Sequence, residues 1–104
     1  MIVNVRTYTL VTRKMPTYLA LFEEHALPVM QRHGIELLGY YTSVIGPQNQ
    51  VVHLWRFDSL ADMERKRTAR DADPDWQAYL QRTEGLVLMQ EDKVMKPAPF
   101  SPGP

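Results

Sequence analysis

Residues 36–57 read Glu36-Leu37-Leu38-Gly39-Tyr40-Tyr41-Thr42-Ser43-Val44-Ile45, then Gly46-Pro47-Gln48-Asn49, then Gln50-Val51-Val52-His53-Leu54-Trp55-Arg56-Phe57. Both outer runs are rich in β-branched, aromatic and aliphatic residues, which suit a pleated surface better than a helix. The tetrapeptide between them is turn-forming, because proline presets one backbone dihedral while glycine and asparagine tolerate the left-handed region. The stretch therefore reads as a β-hairpin with strands over 36–45 and 50–57.

Upstream, Ile2 to Thr12 supplies a first strand of the same character. Between it and the hairpin, Tyr18, Leu21, Phe22, Ala26, Val29 and Met30 recur at helical spacing after Pro16 and stop at Gly34. That is an amphipathic helix opened by proline and closed by glycine. Pro28 lies inside it and removes the hydrogen bond to the carbonyl of Glu24, so a bend is expected there. Downstream, Ser59 caps a second helix with Asp62 as its capping-box partner, and the helix runs towards Ala72. Asp73-Pro74 interrupts it, and a short helix restarts with Trp76, Tyr79 and Leu80 on one face, anchoring it to the sheet or to a partner chain. Leu86 to Met95 forms a fourth strand, and residues 97–104 carry too many prolines for a regular ladder.

The order β-α-β-β-α-β with right-handed crossovers gives an α+β, ferredoxin-like arrangement. It is an antiparallel four-stranded sheet with the first and third strands central and both helices on one face. A sheet covered on one side only should alternate apolar and polar residues. These strands do not: the first sets Val3, Val5 and Val11 against Ile2, Tyr8 and Leu10, and the second sets Leu37, Tyr41 and Ile45 against Leu38, Tyr40 and Val44. Two helices cannot cover both faces. A second copy packed sheet to sheet about a two-fold axis is the simplest cover, so a homodimer is expected.

The 104 residues suffice for one domain, and twelve Lys+Arg against twelve Asp+Glu leave no net charge. A neutral chain is a poor partner for nucleic acid, and no run approaches the ~20 apolar residues that span a bilayer. A cytoplasmic protein is the expectation. The absence of cysteine excludes thiol nucleophiles, iron–sulfur clusters and cysteine-ligated zinc. The basic run Arg65-Lys66-Arg67 with Arg70 is interleaved with Asp62, Glu64, Asp71, Asp73 and Asp75, and reads as a solvated helix face laced with ion pairs. His33, next to the glycine stop, is placed to act on terminal carbonyls as a cation, and His25 reads as a helix-surface residue.

His53 differs because the third strand is central. Counting by twos gathers Val51, His53, Trp55 and Phe57 on one face and Asn4, Arg6, Tyr8 and Leu10 on a face of the first strand. One reading makes Arg6, Tyr8, Tyr40, His53 and Trp55 the wall of a mostly apolar cavity on the barrel face that orients a small apolar or aromatic ligand. A catalytic variant uses His53 as general base and Arg6 to stabilise an enolate or carboxylate. A third reading has these side chains fill the space, with His53 and Arg6 hydrogen-bonding across the dimer in a purely structural or interaction module. Desolvation and the nearby guanidinium should keep His53 neutral below its usual titration range.

The segments Arg6-Thr7-Tyr8-Thr9-Leu10, Gly46 to Trp55, Asp58-Ser59-Leu60-Ala61-Asp62 and Pro97-Ala98-Pro99-Phe100-Ser101-Pro102 together resemble the NIPSNAP family over nearly the whole chain. The resemblance implies a dimeric α+β barrel of two ferredoxin-like chains, with 1–96 as the single domain and 97–104 as an extended proline-rich tail. It implies little about activity. Related barrel superfamilies include cofactor-free oxygenases, haem-degrading oxygenases, isomerases and stress-response proteins that bind hydrophobic ligands, which is a fold-level analogy. No cofactor or metal is expected; haem stays open through the His53 imidazole alone, without an accompanying haem motif. Phe100, held between prolines, is expected to dock on an apolar surface of its own or the partner chain.

Overall fold

The computed structural model describes residues 1–103, so Pro104 of the tail lies outside the described residues. Strand β1 (Ile2–Leu10) is followed by α1 (Met15–Leu21), a π-helical turn (Phe22–Ala26) and α2 (Leu27–Arg32). Strands β2 (Glu36–Thr42) and β3 (Gln50–Phe57), helices α3 (Leu60–Asp71) and α4 (Pro74–Arg82), and strand β4 (Val87–Met95) complete the chain. The strands form one antiparallel sheet in the order β2-β3-β1-β4, with β1 and β3 central as the topology requires.

The helices cover one face of this sheet, and the molecule measures 39 × 36 × 19 Å. Its short dimension has room for one sheet and one helix layer, so the second face is bare. The core lies between the layers: Tyr18, Phe22, Ala26, Val29 and Met30 descend from the first helical segment onto Leu10, Val51, Trp55 and Phe57. The bare face carries Val3, Val5, Leu38, Tyr41, Leu54 and Met95 around a shallow groove.

Several boundaries depart from expectation for local reasons. Strand β1 stops at Leu10 instead of Thr12, because Arg13 takes a left-handed conformation (φ 69°) and Lys14 N–H donates back to the Val11 carbonyl at 3.0 Å. Strand β2 stops at Thr42 instead of Ile45; Val44 and Ile45 are exposed in a broader loop that Ser43 N–H closes onto the Gln50 carbonyl at 3.1 Å. Gly46 and Asn49 both adopt positive φ (112° and 64°), so the turn signal was right in place but short in extent.

Pro28 is accommodated by a change of winding. Leu27 N–H donates to the Phe22 carbonyl, five residues back, and this π-helical register precedes the proline. One extra residue per turn supplies a way round the missing N–H and the clash with the i−4 carbonyl. A second irregularity reassigns faces: a β-bulge between Leu37 and Gly39 puts Leu37 and Tyr40 together under the helices, and Leu38 and Tyr41 together on the bare face. The alternation read from sequence had the parity of this strand wrong beyond the bulge.

Ser59 Oγ accepts from Asp62 N–H at 3.0 Å, as expected of a cap, but Asp62 Oδ2 reaches back to Asp58 N–H, one residue before the usual capping-box target. Asp62 also binds Arg65 and Lys66 at 3.0 and 3.2 Å, which bears out the ion-paired basic face. His33 does not act on helix carbonyls; its Nε2 lies 2.8 Å from Asp73 Oδ2, because the Asp73-Pro74 junction comes alongside the end of α2. Trp76 and Tyr79 anchor α4 in the core, whereas Leu80 is half exposed. The tail turns at Ala98–Ser101, and Phe100 is 89% exposed, so its ring does not dock on its own chain.

Candidate functional site

Antiparallel register seats Arg6 opposite His53 on one side and Tyr40 opposite His53 on the other. All three face the helices, as do Tyr8 and Trp55. The expectation that these residues line the barrel face of the sheet is therefore corrected. Burial along β3 alternates strictly, and the covered parity is Val51, His53, Trp55 and Phe57. His53, covered by its own chain and 2% exposed, is not placed to bond a partner across the bare face.

An aromatic box holds the imidazole. Tyr40 stacks on it almost in parallel, with centroids 4.6 Å apart, and Tyr8 meets it edge-on at 4.8 Å. Phe22, from the first residue of the π-helical turn, closes the helix side at 5.8 Å. Behind it, Trp55 Nε1–H donates to His53 Nδ1 at 2.6 Å. Burial first, then the positive charge of Arg6, pull the His53 pKa down to about 3, with Asp92 acting weakly the other way.

These two facts assign the tautomer. A neutral imidazole has one N–H and one lone pair. The lone pair of Nδ1 is taken by the Trp55 indole, so the network puts the proton on Nε2. His53 consequently faces the cavity as a hydrogen-bond donor. General-base action, the role read from sequence, would require breaking the Trp55 bond first.

Three buried polar atoms in this cluster have no partner among the described residues: His53 Nε2, Arg6 Nε and the Tyr40 hydroxyl. Such atoms are rare, because each leaves an uncompensated desolvation cost. His53 and Arg6 border a small cavity of about 60 Å³, together with Tyr8, Tyr18, Tyr79 and Arg70. Tyr79 donates to the Tyr18 hydroxyl at 3.3 Å. Burial raises the phenols of Tyr8, Tyr40 and Tyr79, and pushes that of Tyr18 up to about 12, so all four are neutral. Phe22 and Tyr40 also border an outer groove of about 270 Å³ between the π-helical turn and β2, with Leu19, Leu27 and Leu37.

The structure thus brings together all five candidates, with Arg6, Tyr8 and His53 on the cavity wall, Trp55 fixing His53 from behind, and Tyr40 between cavity and groove. Sequence reasoning missed Tyr18, Phe22 and Tyr79, which carry only the signal of core aromatics at helical spacing. It also missed Arg70, read as part of a solvated basic face. Its guanidinium lies 4.4 Å over the Trp76 ring and donates to Asp71 Oδ1 at 2.8 and 3.0 Å. A cavity this small does not fit a haem macrocycle, and the occupied Nδ1 and protonated Nε2 leave no free ring lone pair for axial ligation. Among the described residues no three His, Asp or Glu side chains gather as a metal site, and no helix is long and apolar enough to cross a membrane.

Residues 3–102 match the profile of the NIPSNAP family. A solved NIPSNAP family protein of unknown function from Agrobacterium tumefaciens superposes with a TM-score of 0.93. The two are 41% identical, over 98% of this chain and 92% of that one. The human Protein NipSnap homolog 3A is 32% identical over 97 residues, which are 91% of this chain but 38% of the relative, so the chain spans little more than a third of that protein. A putative antibiotic biosynthesis monooxygenase from Nitrosomonas europaea shares the fold (TM-score 0.70, covering 92% of this chain and 97% of that one) at 9% identity, a likeness of architecture alone.

Proposed function

Because the chain belongs to the NIPSNAP family, we propose that it acts as a homodimer that binds a small ligand with an apolar or aromatic part in the cavity between sheet and helices. The observation that carries this reading is the unpartnered His53 Nε2–H, 2% exposed and bordering the cavity. A purely structural histidine in an aromatic box would be expected to have its second nitrogen satisfied. The cavity and the outer groove share Phe22, and together they reach the ~300 Å³ at which small-molecule sites begin.

Dimerisation through the bare face is supported by its apolar lining, Val3, Val5, Leu38, Tyr41, Leu54 and Met95, because a contiguous apolar patch on a sheet face is a usual mark of an interface. Catalysis in the same cavity is the second reading, favoured by the tautomer: His53 Nε2–H and Arg6 would serve as donors to an oxyanion developing on a bound carbonyl compound.

The test is NMR observation of the Trp55 indole N–H and the His53 ring while benzyl alcohol, hexanamide and hexanoate are added in turn. Saturable shifts of both residues with any of the three support the reading. If none of them moves either residue, the cavity is a packing feature and the reading falls.

A further inference from the structure

Two guanidinium side chains border the inner cavity, Arg6 and Arg70, and no carboxylate does. Arg70 is already paired with Asp71 outside the cavity. Arg6 has no ion-pair partner among the described residues, and its Nε is buried and unbonded. Its cross-strand neighbour on β4, Asp92, is engaged elsewhere: Asn4 Nδ2 donates to one of its oxygens, and Arg67 Nη2 lies 3.4 Å from the other. A half-buried guanidinium next to an unpartnered imidazole N–H leaves a positive site without an anion, and burial makes such a site costly until one arrives.

We propose that this site takes the carboxylate of an amphipathic monocarboxylic acid, whose apolar chain passes Phe22 into the outer groove between the π-helical turn and β2. The inference rests on the cavity being the ligand site. Two unpartnered N–H donors on directly opposed residues of adjacent strands, Arg6 Nε and His53 Nε2, match the two oxygens of one planar carboxylate. The cavity, at about 60 Å³, holds a head of a few atoms and no more. The groove, at about 270 Å³, offers Leu19, Leu27 and Leu37 to a chain. Glu23 stands at the groove and repels a carboxylate there, so charge orients the acid head-inward.

Matched probes test this. At neutral pH, hexanoate should shift the Arg6 Nε–H and His53 Nε2–H resonances and bind at least tenfold more tightly than hexanamide, which has the same shape without the charge. Acetate should bind more weakly than hexanoate, by up to a few-fold per methylene removed. Arg6→Gln should abolish the preference for hexanoate over hexanamide, while Arg6→Lys, which keeps charge but not the Nε donor, should retain part of it; cooperative thermal unfolding of each variant shows that it is folded. Binding of hexanamide or benzyl alcohol with no preference for hexanoate overturns the carboxylate assignment and leaves the ligand site standing. Failure of all the probes overturns both. Tight hexanoate binding that survives Arg6→Gln also overturns it, since the anion would then sit elsewhere.

Discussion

At His53 the folded and unfolded chains differ in proton affinity, and the sign of that difference is measurable. The ring titrates near 6.5 when free and is pulled down to about 3 in the fold. Above about pH 6.5 both states are neutral and His53 contributes no pH dependence. As pH falls from there the unfolded chain takes the proton first, so stability declines until pH passes about 3. His53→Asn should flatten this decline, because asparagine keeps an acceptor near the Nδ1 position for the Trp55 indole and carries no titrating group. Urea midpoints measured across that pH range check it; identical slopes in parent and variant would mean that the ring ionises freely in the fold. Trp55→Phe removes the indole N–H from the 2.6 Å bond. It should cost about 1–3 kcal/mol and let the ring populate both tautomers, visible as averaging of its two ¹⁵N shifts.

Among the elements, the junctions between helices are set by short polar side chains. Ser59 Oγ satisfies Asp62 N–H at the start of α3, and Ser59→Ala should lower unfolding free energy by about 1 kcal/mol. Asp73 caps α4 by accepting from Asp75 N–H at 2.9 Å, and it also takes His33 and Arg32 from the end of α2, both at 2.8 Å. The bond from His33, then those from Arg32, hold its carboxyl down at about 2. This stabilisation is present above the ordinary carboxylate value of 3.8 and is lost as pH falls towards 2. Asp73→Asn keeps the cap but not the charge. It should therefore reduce the thermal midpoint at neutral pH, and the gap to the parent should close in acid; a gap that persists at pH 2 would assign the loss to packing. The cap at Ser59 and the break at Asp73-Pro74 were legible because they depend on neighbours in sequence. The His33 contact was not, because Asp73 is forty positions away and reaches it only when α4 packs beside α2.

For the whole molecule, a slab 19 Å thick with one bare apolar face calls for a cover. Sedimentation equilibrium at micromolar concentration should show a dimer, and a folded monomer there would reject the sheet-to-sheet assembly. Phe100 is 89% exposed beside the groove that Val3, Val5, Leu54 and Met95 line, so the same dimer is the natural place for its ring. Truncation after Lys96 should then lower the thermal midpoint and weaken dimerisation together; if both stay unchanged, the tail is a solvated end.

The order of strands and helices and the central place of β1 and β3 followed from the sequence alone. They rest on period-two and helical patterning and on the crossover rule; the neutrality of His53 was expected from a central strand, but burial under the helices is its first cause and the arginine one strand away its second. Which face of the sheet the helices cover could not be read there, because both parities of β1 and β3 are apolar enough to be buried. Nor could the bulge at Leu37–Gly39, which moves Tyr40 onto the side of His53 without any proline or charge to announce it. The tertiary structure decided both, and with them the site: Phe22, Tyr18, Tyr79 and Arg70 meet Arg6 and His53 only because helices distant in sequence settle on one face, where burial turns an ordinary imidazole and guanidinium into unpartnered donors.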